Sequence, residues 1–299
     1  MTEMAGTKEI KTHIESVRET RKITNAMYLI ASTKLRRARA DLDNTRPFFE
    51  AVRGEIKRIF RTANDVTSQY FYPVDDDTPM VGTYGCLVIT ADKGLAGAYN
   101  QNAIREALKL LEWHPDTKLF VVGEYGRRFF DQHNIPIERS FLYTAQNPTM
   151  ARAREISALL LDSFDARELR EIFVVYTDME SAMSFQAHST RLLPFHRTYF
   201  ATPAGERAVT TPFEFLPNVT SVLDNMIQSY VSGFIYSALI DSFCCEQNAR
   251  MTAMDSANQN AENLLGELSL QFNRVRQSAI TQEITEVSAG ARAQRQKKE

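Results

Sequence analysis

Between residues 7 and 60, apolar and seam positions fall at Ile10, Ile14, Val17, Arg21, Thr24, Tyr28, Ala31, Leu35, Ala38 and Leu42, in steps alternating four and three. That period predicts one long helix able to wind against a partner helix. Its first proline is Pro47 and, past Gly6, its first glycine is Gly54. Arg21 and Thr24 put polar groups into the seam and make it imperfect there. At ~1.5 Å per residue the helix spans about 80 Å.

The pattern then changes. After an N-terminal helix over 1–61, residues 62–82 read as a connector carrying Pro73, the acidic run Asp75–Asp77 and Pro79. From 83 to 200, short apolar runs alternate with amphipathic stretches. Strands are expected at 86–90, 118–122, 138–143 and 172–177, helices at about 101–112, 124–133 and 149–164, and a further extended pair within 181–200. That order predicts a mostly parallel sheet covered by helices.

A connector at 201–216 leads back to helix over 217–290, where Gly233 and Gly266 are the only glycines as far as residue 288. The first third of this helix (Met226, Ile227, Tyr230, Val231, Phe234, Ile235, Leu239, Ile240, Phe243) is apolar over a wide arc, as packing against the α/β domain requires. Its later stripe is narrower: Ala257, Ala261, Leu264, Leu268, Phe272, Val275 and Ala279. Steps averaging about 3.7 residues predict a nearly straight helix there. Residues 291–299 read as a frayed basic tail.

Charge adds a pairing. The net charge is −2, which gives no pull toward nucleic acid. Residues 1–61 nevertheless hold fourteen Lys/Arg against eight Asp/Glu, and residues 217–287 hold three Arg against eight Asp/Glu. Two long terminal helices of opposite charge, flanking a compact domain, are expected to pair antiparallel as a rod. Some apolar residues do not fit a two-helix rod. Ile280, Ile284 and Val287 leave the stripe of the C-terminal helix, and Met27 and Ile30 lie off the N-terminal seam. Solvent-facing apolar residues of this kind mark a partner surface, so other proteins are expected to sheathe the end of the rod.

Hydrophobic content of 43% and charged content of 24% are those of a soluble globular chain. The charged N-terminus carries no readable signal peptide, and the apolar window between Asp224 and Asp241 is too short and polar to span a bilayer. Three cysteines, Cys244 and Cys245 adjacent among them, make neither a disulfide framework nor a metal spacing. The five histidines show no ligand spacing. The loop Gly94-Leu95-Ala96-Gly97 follows a strand and enters a helix, as phosphate loops do. It lacks the third glycine of the dinucleotide motif and the Gly-Lys-Ser/Thr end of a P-loop. Gly123-Glu124-Tyr125-Gly126 is weaker still, because Glu124 opposes an anion. A nucleotide-using enzyme with helical oligomerisation arms stays open as the competing class. The cluster Lys34–Arg39 suits an acidic protein face better than nucleic acid, since no aromatic residue interleaves with it.

Three stretches carry a resemblance: KEIKTHIESVRETRKITNAMYLIASTKLRRAR (8–39), TADKGLAGAYN (90–100) and RMTAMDSANQNAENLLGELSLQFNRVRQSAITQEITEV (250–287), with LLPF (192–195). Nearly the whole chain resembles the gamma subunits of bacterial F-type ATP synthases. The resemblance implies an antiparallel coiled coil of the two terminal helices, a central Rossmann-like α/β domain, and no catalytic, cofactor or metal residue in the chain. It implies as partners the alpha and beta subunits, epsilon and the membrane c ring, with no nucleic acid, and a peripheral place at the cytoplasmic face of the cell membrane through the complex. Carried over by residue, it puts beta-subunit contacts on Met27, Arg276, Gln277 and Thr281. It puts a c-ring-facing foot on the turn Arg46-Pro47-Phe48 and the region of Phe213 and Phe215. Two departures are the basic tail after Gly290 and Ala96, where the family often has Cys. The coupling ion, proton or sodium, is chosen elsewhere.

Overall fold

The computed structural model describes residues 2–62, 68–72, 81–142, 144–179, 185–200 and 214–296. In chain order the elements are α1 (Thr2–Thr62), β1 (Thr83–Ile89), α2 (Tyr99–Trp113), β2 (Lys118–Val122), α3 (Glu124–Gln132), β3 (Arg139–Phe141), α4 (Met150–Asp165), β4 (Leu169–Met179), β5 (Phe185–Leu193), a 3-10 turn (Arg197–Phe200) and α5 (Val219–Gln296). Two compact units divide the chain, one of residues 32–250 and one of residues 1–31 with 251–299.

In the larger unit five strands form one sheet in the order β3-β2-β1-β4-β5. The first four are mutually parallel and β5 is antiparallel to β4. β1 and β2 are buried along nearly their whole length, which explains their unbroken apolar sequences CLVI and LFVV. A strand covered by helices on both faces has no polar side to show. One core cluster joins Cys86, Val88, Leu119 and Val121 of the sheet to Ile104 and Ala107 of α2 and Phe130 of α3.

Within the same unit, Leu223, Ile227, Val231, Ile235, Leu239, Ser242 and Cys245 of α5 are all buried, which accounts for the wide apolar arc. Farther on, Cys245 and Ala249 pack on Ala91, Ala96 and Tyr99. The α1 segment of this unit turns Leu35, Ala38, Ile56 and Ile59 inward. Its Phe49 ring lies over Gly233 so closely that a Cβ built there would stand 2.0 Å from Phe49 Cδ1. Only glycine permits that approach. Phe60, Phe71, Phe195, Phe200 and Tyr230 form an edge-to-face aromatic cluster.

In the smaller unit, the α1 and α5 segments run in opposite directions. Thr24 donates a hydrogen bond to the Asn258 side chain. One turn back on α1 and one turn on along α5, Arg21 meets Glu262 at 3.6 Å. The buried and half-buried positions of α1 are Ile10, Ile14, Val17, Thr24, Met27, Tyr28 and Ala31, so the seam read from sequence is the inward face except at Arg21, which is exposed, and Met27 joins it.

Four expectations are corrected. The inward stripe of α5 in the smaller unit keeps Ala257, Ala261, Leu268, Phe272, Val275 and Ala279 as expected, but it also takes in Met254, Asn258 and Leu265. Leu264 is exposed and Leu265 is turned in. Apolar identity alone could not choose between the adjacent leucines, and polar Asn258 was passed over although its side chain is used. The extended pair in 181–200 is one strand, β5, followed by the 3-10 turn, because β5 takes its partner from β4. Arg46-Pro47-Phe48 is not a turn, since α1 runs straight through Pro47. All three residues face outward, where water can serve the carbonyl that proline leaves without a donor. The stretch 291–296 continues α5 as helix rather than fraying.

Candidate partner-binding surface

The glycine loop is closed by its own chain. Asn100 Oδ1 accepts from the Ala91 backbone N–H at 2.9 Å, and Asn100 Nδ2 donates to the Lys93 carbonyl at 3.4 Å. Asp92 Oδ1 accepts from the Glu124 N–H at 2.9 Å, at the start of α3. Arg250 Nη2 donates to the Gly94 carbonyl at 3.1 Å. Leu95 and Gly97 take positive φ of 62° and 54° to make the turn. The second glycine pair is a close crossing, because a Cβ at Gly123 would stand 2.2 Å from the Thr90 carbonyl oxygen. Gly126 N–H donates to Thr90 Oγ1.

A phosphate site needs N–H donors free at a helix N-terminus. At the second glycine pair the N–H that opens α3 is spent on Asp92, and Glu124 stands beside it. Hydrogen bonds from Arg127, then Arg128, hold the Glu124 carboxyl down to about 2, so it keeps its negative charge. What the loop does chemically is fasten the sheet to α5.

The fastening residue escaped sequence reasoning. Arg250 Nη1 meets Glu246 Oε1 at 2.6 Å, with 11% and 8% of the two side chains exposed. Burial raises the Glu246 carboxyl pKa, and the charge and hydrogen bond of Arg250 pull it back. A Glu–Arg pair at i, i+4 within an otherwise apolar arc was the available signal.

Three of the histidines stack on rings, His114 on Tyr84, His133 on Phe129 and His196 on Tyr72, and His188 meets Tyr176 edge-on. Among the described residues no group of histidine, cysteine and carboxylate side chains is arranged to hold a metal. Cys86, Cys244 and Cys245 are buried and unpaired. Burial pushes their thiols up to about 12, 11 and 12, so they stay protonated.

An outward-facing surface is left in the smaller unit. Arg276, Gln277, Ile280, Thr281, Ile284 and Val287 recur at helical spacing on one face of α5. All six are exposed. Among the described residues Arg276 makes no ion pair. Thr281 Oγ1 donates to the Gln277 carbonyl at 2.9 Å, which leaves its oxygen as an acceptor. From Thr281 to Arg292 every α5 position is exposed, and the register set by Thr24–Asn258 brings Ile280 opposite the first turn of α1. These apolar residues have lost the covering helix. On α1, Ile23 and Ile30 are exposed, while Met27 between them is half-buried beside Tyr28 and therefore less open than expected.

In the larger unit, Arg46, Pro47 and Phe48 are exposed on the outer face of α1 and Phe215 is half-buried. Phe213 lies outside the described residues. On the α5 face of the smaller unit, a fork of guanidinium donors, an amide, a hydroxyl and three aliphatic side chains lie together and exposed, and solvent-facing apolar residues of that kind commonly mark a partner surface.

Comparison with known proteins adds three findings. Residues 6–294 match the family model described as ATP synthase. The chain is 38% identical to the ATP synthase gamma chain of Acetivibrio thermocellus, over 97% of this chain and 99% of that one. It is 35% identical to the sodium-ion-specific ATP synthase gamma chain of Acetobacterium woodii, over 95% and 97%. Among solved structures, a chain of the Euglena gracilis mitochondrial ATP synthase superposes with a TM-score of 0.67 at 16% identity, covering 99% of this chain and 96% of that one. A chain of the Tetrahymena thermophila mitochondrial ATP synthase central stalk and c ring gives 0.60 at 24% identity, covering 79% and 99%. At such identities the structural likeness speaks for the fold alone.

Proposed function

The chain belongs to the ATP synthase gamma-chain family, and from that premise we propose that it is the central-stalk subunit coupling rotation of a membrane c ring to ATP synthesis in an alpha/beta hexamer. The paired helical segments act as an antiparallel coiled coil inside the hexamer. The five-stranded unit is a Rossmann-like domain used as a scaffold beside epsilon and the c ring, at the cytoplasmic face of the membrane. No helix among the described residues is long and apolar enough to cross a bilayer, so membrane association runs through the complex.

The observation that carries the reading is the uncovered α5 face from Arg276 to Val287. A single helix end with one apolar stripe and one guanidinium cannot meet three beta subunits identically. Each rotational position therefore favours a different conformation in each site, and turning the shaft shifts those populations in sequence. The gamma chain itself contributes no catalytic group; ATP chemistry belongs to its partners. Arg276 offers two parallel N–H groups to a carboxylate of a beta loop. Gln277 and Thr281 add neutral hydrogen bonds of about 1 kcal/mol each, and Met27 supplies an adaptable apolar contact. Arg46, Pro47, Phe48 and Phe215 face the c ring.

The test is Arg276→Ala with Gln277→Ala in the assembled synthase. Both side chains are solvent-facing in the chain, so its unfolding midpoint should not move. Coupled ATP synthesis in reconstituted vesicles should fall about tenfold, the effect of losing roughly 1.4 kcal/mol at a rate-setting contact. Synthesis at the parental rate, with the complex intact, overturns the assignment of these residues.

A further inference from the structure

Asp241 lies in the most deeply buried stretch of α5, with Leu239, Ile240, Ser242 and Phe243 around it in sequence. Ser242 Oγ accepts the backbone N–H of Thr177 at 3.2 Å. That bond brings the next residue of β4, Asp178, alongside the preceding residue of α5, Asp241. Two carboxylates from different elements thus share one half-buried place. A cavity of about 200 Å³ opens beside Asp241, lined also by Arg46, Glu50 and Arg53 of α1 and by Tyr230 and Ser237 of α5. Water can therefore deliver a proton to it.

We propose that Asp241 is a proton-binding site at the junction of α1, β4 and α5, taking up a proton as the surroundings become mildly acidic and so tightening α5 against the sheet. The charged form is opposed from several sides. Burial removes hydration, and Asp178 adds a like charge. Arg46 opposes them across the cavity, which Glu50 and Arg53 also line, but Arg46 is exposed. Tyr176 of β4 faces both aspartates, with His188 of β5 against its ring at 4.4 Å. The neighbouring Cys244 and Cys245 thiols are neutral and offer no charge. Arg39 and Asp43 of α1 face Cys244 with opposite signs. The outcome is a carboxyl pushed up to about 7, by burial first and by Asp178 second, against the pull of Arg46.

The sign follows from linkage. A carboxyl raised in the folded chain makes that chain bind more protons than the unfolded one between the ordinary carboxyl range and about 7. The associated stability is complete at the acidic end and lost as pH rises through about 7. Between about pH 5.5 and about pH 8.5 this one group raises the unfolding constant about thirtyfold.

The experiment compares unfolding of the full chain and its Asp241→Asn variant at those two pH values. The variant should exceed the parent at both values, because the amide mimics the protonated acid while the unfolded parent's carboxyl is already ionised at about pH 5.5, and its margin in the unfolding constant should be about thirtyfold larger at the alkaline value. Parallel pH dependence of the two proteins overturns the proposal. In parental protein, an infrared difference spectrum between mildly acidic and mildly alkaline buffer should show the carbonyl band of a neutral carboxylic acid. Asp178→Asn should move its midpoint to lower pH. Absence of that band, or a midpoint indifferent to Asp178, counts equally against the site.

Discussion

Replacing Gly233 by alanine adds one methyl group at the tightest contact between α1 and α5 in the larger unit. The new Cβ stands 2.0 Å from Cδ1, 2.1 Å from Cε1 and 2.8 Å from Cγ of Phe49. Ordinary carbon contacts lie at about 3.5–4.0 Å, so the ring must retreat or α1 must lift. Retreat is fenced by Phe48, edge-on at 5.3 Å, and by Tyr236 at 6.4 Å. Overpacking of this kind costs about 1–3 kcal/mol. Against it stands the gain of about 1 kcal/mol that alanine brings over glycine inside a helix.

Gly266, in the same helix, supplies the control, because nothing lies within 4 Å of a Cβ placed there. Gly266→Ala should therefore stabilise the chain by about 1 kcal/mol, and Gly233→Ala should fall about 1–3 kcal/mol below it. Urea unfolding followed by circular dichroism reads both. A second arm removes the ring: in a Phe49→Ala background, Gly233→Ala should become as favourable as Gly266→Ala, a coupling only residues in contact can show. If Gly233→Ala stabilises the parent as much as Gly266→Ala does, the close approach of Phe49 to Gly233 is wrong.

Two further outcomes follow from the larger unit. Arg250→Ala leaves Glu246 buried without its partner and frees the Gly94 carbonyl, and should cost about 3–5 kcal/mol. Glu246→Gln in the same chain should recover part of that. Since burial already raises the Glu246 pKa and Arg250 opposes it, the Arg250→Ala deficit should grow with rising pH, measurable by unfolding in mildly acidic and alkaline buffers. The three thiols should resist an aromatic disulfide reagent in the native chain and react once denatured, because burial holds Cys86, Cys244 and Cys245 protonated; rapid labelling of Cys245 at native conditions contradicts this.

Much of this molecule was legible as pattern. Apart from exposed Arg21, the four-three recurrence from Ile10 to Leu42 is the inward face of α1, because a helix that buries one stripe must repeat its apolar positions at the helical period. The unbroken runs in β1 and β2 announced strands covered on both faces. Ile280, Ile284 and Val287 declared themselves by falling off the stripe. Less was legible where two residues competed for one place. Leu264 and Leu265 are chemically equal, and only the facing helix chooses between them. Asn258 looked wrong for a seam until Thr24 was opposite it. The family resemblance put a turn at Pro47, yet an outward face and access to water let the helix pass.

Sequence by itself determined the elements, their faces and the opposite charges of the terminal helices, since periodicity and charge are properties of neighbours along the chain. Tertiary structure alone decided that Gly233 seats Phe49, that Arg250 reaches the glycine loop, and that Asp178 and Asp241 stand side by side. Each of those depends on atoms distant in sequence meeting at a few ångströms, a distance set by packing and written in no local pattern.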